Sequence, residues 1–91
     1  MIEKKASVHW EGRGKTGRGQ ISTETGALKA YPYGFASRFE GDKRGTNPEE
    51  LLGAAHAGCF AMALSLILGN AGFKPDYVDA TAHGEAKLAA N

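Results

Sequence analysis

The residues best equipped for chemistry sit in and just before one apolar stretch. Thr46-Asn47-Pro48-Glu49-Glu50 opens a helix, and Leu51-Leu52-Gly53-Ala54-Ala55-His56-Ala57-Gly58-Cys59-Phe60-Ala61-Met62 continues it. Cys59 is the only cysteine of the chain. A thiolate is a strong nucleophile and the starting point of sulfur oxidation. Two glutamates lie ten and nine residues upstream, and Arg38 lies further back between Phe35 and Phe39. His56 is three residues before Cys59 and so shares its helix face. A lone thiol in this setting points to thiol chemistry. The competing reading is structural, because free cysteines also serve as small core hydrophobes. Composition leaves the two open. For His56 a hydrogen bond within a core is favoured, since nothing in the sequence supplies a partner to orient it.

Spacing constrains how these groups can meet. Glu49 and Cys59 are ten residues apart, a rise of about 15 Å in an unbroken helix. Either the helix breaks near Gly53 or the two groups meet across a subunit interface. Glu49 and Glu50 also suit the positive end of a helix dipole, so capping alone would explain Glu50. Arg38 reads either as a solvent-facing strand residue or as a guanidinium held near a buried group. Arg44 reads as solvated. His9 and His83 are isolated, with no metal-ligand spacing to Cys59, and no metal site or cofactor is expected.

The elements that must position these groups follow from pattern. Ala6, Val8 and Trp10 alternate with Ser7, His9 and Glu11, a half-buried strand. Gly12 to Gly19 reads as a loop and Gln20 to Glu24 as a second strand, giving a hairpin. Thr25-Gly26 is a turn signal. A third extended segment falls between Leu28 and Phe39, interrupted near Pro32 and Gly34. Gly41 to Thr46 is a polar loop. Asn47 is a good N-cap, Pro48 fits the first helical position, and Glu50 completes a box-like pattern. No acidic or basic side chain of the Asp, Glu, Lys or Arg type occurs from Leu51 through Phe73. Apolar residues surround this helix on all sides, which predicts burial all round. Gly69 or Gly72 is expected to end it in a left-handed cap. Tyr77 to Ala82 reads as the start of another strand, and the tail from His83 carries no readable pattern. The fold class is therefore α+β: antiparallel strands, then a long buried helix.

The 91 residues bound a single domain with a marginal core. One cysteine excludes an intrachain disulfide, which leaves oligomerisation as the natural supplement. The net charge of +1 gives no global field for nucleic acid. Gly12-Arg13-Gly14-Lys15-Thr16-Gly17 matches G-x-G-x-x-G and contains Gly-Lys-Thr, but no helix pattern follows Gly17. A P-loop would also need glycine at His9. A basic hairpin loop with weak, salt-sensitive anion contacts is the simpler reading. The uncharged run is long enough to raise a transmembrane reading. A helix at the centre of an oligomer explains the same composition, and no membrane partner is expected. The N-terminus has no signal-type apolar segment, and with a reduced thiol this fits a cytoplasmic protein.

The residues resemble the OsmC/Ohr family of osmotically inducible and organic hydroperoxide resistance proteins, most of all its OsmC branch. The matching pieces are His9-Trp10-Glu11-Gly12, Ser22-Thr23-Glu24, Pro32-Tyr33-Gly34-Phe35, Arg38-Phe39-Glu40-Gly41 and Gly45 through Phe73. The resemblance runs to about Thr81. It implies an intertwined homodimer in which strands of both subunits surround central helices and the active site lies at the interface. It implies reduction of organic hydroperoxides by a cysteine peroxidase route, with Cys59 as the attacking thiolate. Arg38 would stabilise that thiolate and polarise the peroxide, and Glu49 would hold the guanidinium. Family members are about half as long again and carry a second cysteine that resolves the sulfenic acid. This chain has no such cysteine and lacks the later strands and helix. It reads as a truncated or shortened relative, in which Cys59 needs an external thiol or dithiol. The alternative is a non-catalytic dimerisation module or inactive fragment of the same fold.

Overall fold

A computed structural model describes residues 2–84, which divide into two units, one before Glu49 and one from Glu49 onward. In the first unit, β1 (Ala6–Glu11), β2 (Arg18–Thr23) and β3 (Tyr31–Tyr33) form an antiparallel sheet in the order β1-β2-β3. The register places Val8 opposite Ile21 and Ile21 opposite Tyr31, with Trp10, Gly19 and Tyr33 aligned beside them. Side chains alternate across a strand, so these residues share one face. Ser7, His9, Glu11, Gln20 and Ser22 share the other. The hairpin and the alternation of β1 are as expected, but the half-buried reading is corrected, since every residue of β1 is exposed in the single chain. β2 starts two residues earlier than the pattern suggested, because Gly19 is wanted in the sheet itself.

The reason lies in the rings of Trp10 and Tyr33, whose centroids are 5.5 Å apart. Both sit over Gly19. A Cβ built at Gly19 would meet Tyr33 Cε1 and lie 2.7 Å from Trp10 Cε3. Gly17 is likewise closed by the Trp10 indole, at 2.5 Å from Cζ2. The glycines that read as breakers are the floor of an aromatic pair. Gly19→Ala is therefore expected to destabilise the fold by about 1–3 kcal/mol through overpacking. The check is a thermal melt; an unchanged midpoint would show that the rings are not held there.

The third segment departs from the extended reading. Only Tyr31–Tyr33 is strand, and Phe35–Phe39 forms a short helix, α1. Two local features make it helical. The Gly34 N–H donates to Ser37 Oγ at 2.9 Å, and the Ser37 hydroxyl donates to the Gly34 carbonyl at 3.1 Å. Phe35 and Phe39, one turn apart, bring their centroids to 5.0 Å. Next, Thr46 bridges to Tyr33 in parallel fashion, its N–H donating to the Pro32 carbonyl at 2.9 Å. Thr46 is only 3% exposed.

The second unit is dominated by α2 (Pro48–Asn70). It starts where Asn47 and Pro48 predict. Its end is a Schellman motif: the Phe73 N–H reaches the Leu68 carbonyl at 2.9 Å and the Gly72 N–H reaches Gly69 at 3.1 Å. Gly72 takes the left-handed φ of 91° that the motif requires. The expectation of burial all round is corrected, for no residue of α2 is buried. Among the described residues Ile21 is the only buried apolar one. Patterning reports what a helix needs covered, and a single chain does not supply the cover. α2 is also long and apolar enough to cross a membrane, by length and composition alone. The expected strand at Tyr77 to Ala82 is absent; this stretch has no regular structure and no strand beside it. It runs back past the first turns of α2, with the Ala82 carbonyl 3.6 Å from the Cβ position of Gly53. Positions 85–91 of the unpatterned tail lie outside the described residues.

Candidate functional site

Cys59 lies midway along α2 and is exposed. That corrects the reading of Cys59 as a packed core residue of this chain. His56 is exposed on the same face, one turn earlier, which corrects its reading as a satisfied core histidine. Glu49 is half-buried in the first turn, where the helix dipole favours its charge. α2 is unbroken through Gly53. Of the two routes by which Glu49 could meet Cys59, a break near Gly53 is therefore excluded. About 15 Å of helix rise separates them within one chain.

Arg38 belongs to the first unit. Its guanidinium carbon is 5.2 Å from the centroid of the Phe39 ring, and its main-chain N–H donates to the Gly34 carbonyl at 3.1 Å. The backbone of α1 is tied from outside as well, since Asn47 Nδ2 donates to the Ser37 carbonyl at 2.9 Å. Arg44 is bound to Asp42 through Nε at 3.0 Å and Nη2 at 2.7 Å. Those bonds hold the Asp42 carboxyl down at about 2, against 3.8 for an ordinary side chain. A depressed folded value means that the pair contributes above the unfolded value and is lost as pH falls toward 2. An NMR titration of the Asp42 carboxyl should show a midpoint near pH 2, moving back toward 3.8 in Arg44→Ala.

Two cavities bear on function. The first unit has one of about 420 Å³, lined by Lys15, Arg18, Tyr33, Phe35 and Arg44 among others. The Lys15 ammonium stands 5.3 Å from the Phe35 ring centroid, so part of the basic loop is anchored on an aromatic. The second unit has one of about 330 Å³, lined by Glu49, Leu52, Gly53, His56 and His83 with Ala82 and Gly84. The sequence left His83 isolated. Glu49, Gly53 and His56 have the spacing of one helix face, and that much was legible; the return of His83 to it was not. Among the described residues no group of three or more His, Cys, Asp and Glu is placed to hold a metal ion.

A three-stranded antiparallel sheet followed by a long apolar helix that carries one exposed thiol defines an α+β protein. The model of the OsmC-like protein family matches residues 40–90, more than half of the chain, and the chain belongs to that family. The matched range contains Glu49 and Cys59. Peroxiredoxin OsmC of Escherichia coli (strain K12) is 64% identical over 81 residues, as is Peroxiredoxin OsmC of Shigella flexneri. Each alignment covers 89% of this chain and 56% of the relative. The chain thus spans little more than half the length of the curated relatives it matches.

Proposed function

We propose that the chain is a thiol-dependent peroxidase acting on organic hydroperoxides, in defence against oxidative and osmotic stress. The observation that carries this reading is the 64% identity to two proteins named Peroxiredoxin OsmC, with the family match running through Glu49 and Cys59.

The chemistry balances without metal or cofactor. The Cys59 thiolate attacks the distal oxygen of the hydroperoxide. The S–O bond forms and the O–O bond breaks, so the peroxide is reduced and the sulfur oxidised to sulfenic acid. The departing alkoxide takes a proton and leaves as an alcohol. An external thiol then attacks the sulfenic sulfur, releasing water and forming a mixed disulfide. A second external thiol frees Cys59 and leaves as the oxidised disulfide. Arg38 stabilises the thiolate and polarises the peroxide through its fork of donors. Glu49 holds that guanidinium. The site is completed in a homodimer in the cytoplasm, where each α2 is covered by a second copy. An apolar surround then favours alkyl peroxides over hydrogen peroxide.

The test is consumption of cumene hydroperoxide by the purified chain with excess dithiol, with sulfenic acid trapped at Cys59 by a dimedone reagent. Turnover with label on Cys59 supports the reading. Absence of both in a folded sample sinks it.

A further inference from the structure

We propose that Asn47 is a positioning residue for Arg38, acting through the peptide group that joins Ser37 to Arg38. The inference rests on the peroxidase reading above. α1 has five residues, too few to hold a helical shape unaided. Its last carbonyls have no partner farther along the helix. The Ala36 carbonyl is served by the N–H groups of Glu40 and Asp42, at 3.0 and 3.1 Å. The Ser37 carbonyl accepts instead from Asn47 Nδ2 at 2.9 Å, in a half-buried setting.

That bond falls on one end of a single peptide plane. The other end is the Arg38 N–H, which donates to the Gly34 carbonyl at 3.1 Å. Both polar atoms of the plane are thereby held, and the plane sets the direction in which the Arg38 side chain leaves the backbone. The anchor itself is firm. Thr46, next to Asn47, is 3% exposed and bonded to Pro32. Ser37 is 8% exposed and bonded at both atoms of its hydroxyl to Gly34. Only a residue with a side-chain donor of this reach can serve. Aspartate would keep an oxygen for capping the helix that starts at Pro48 but has no N–H to give.

The experiment is Asn47→Asp in the full chain, with Asn47→Ser as a second variant that also keeps a capping oxygen. The rate of Cys59 oxidation by cumene hydroperoxide should fall about tenfold in both, because the Ser37 carbonyl loses its partner and Arg38 is no longer held in position. In an Arg38→Ala background the same substitution should slow the reaction no further, since the two residues act on one element. Amide exchange of Arg38 should accelerate while that of β1 and β2 stays as it was. Equal slowing in both backgrounds overturns the proposal, because a merely structural role is additive with loss of Arg38. So does unchanged exchange at Arg38. A chain with no Cys59-dependent turnover overturns the peroxidase reading and the catalytic part of this one; the exchange result then decides separately whether Asn47 fixes α1.

Discussion

Cys59→Ser is expected to abolish peroxide consumption, lowering the rate by a thousandfold or more on the order of magnitude usual for loss of a nucleophile. A serine hydroxyl fills nearly the same volume but is not ionised at neutral pH and does not form a stable oxygen adduct. The substitution should leave the fold intact, since serine is nearly isosteric with cysteine and Cys59 is not buried within its own chain. Arg38→Ala belongs to the same expectation. Removing a donor aimed at developing charge commonly costs about a hundredfold or more. Arg38→Lys should recover only part, because a point charge replaces a planar fork. Stopped-flow oxidation with cumene hydroperoxide separates these cases. A Cys59→Ser chain that still consumes peroxide at the original rate would falsify the assignment of the nucleophile.

Leu66→Asp is expected to prevent assembly. Leu66 is 63% exposed on a helix without one buried residue, and Leu52, Met62 and Ile67 are as open. On the homodimer reading proposed above, this apolar surface is buried against another copy and contributes to stability. Burying one leucine contributes about 1.5–3 kcal/mol. Burying a carboxylate in its place costs more still, unless it is paired. Twofold symmetry counts each change twice. Dimerisation should therefore weaken by more than about a thousandfold. Sedimentation velocity reads this directly, with Leu66→Ala as the milder control. Unsubstituted chain that stays monomeric at high concentration sinks the dimer reading. Partition into lipid vesicles instead would favour the membrane-spanning alternative that the length of α2 leaves in play.

By itself the sequence determined the local elements and the family. The hairpin, the start of α2 at Pro48 and its end near Gly72 were legible because each rests on contacts within a few residues: alternation, capping and the left-handed glycine. Glu49 and Cys59 stand out by type and position without any structure, and their chemical roles belong to the proposed function. Tertiary structure decided the rest. Gly19 reads as a breaker until Trp10 and Tyr33 are seen above it. Phe35–Phe39 reads as strand until Ser37 folds back on Gly34. Asn47 reads only as a cap until its amide is also found on the Ser37 carbonyl, ten residues away. His83 reads as isolated until its segment returns to the first turns of α2. The Ser37–Gly34 bond is local but carries no pattern that sets it apart from a strand; the other three depend on groups nine or more residues apart that only the folded backbone brings together. The burial expected for α2 marks the same boundary from the other side. Hydropathy states the surface a helix must hide, and which chain hides it is a property of the assembly.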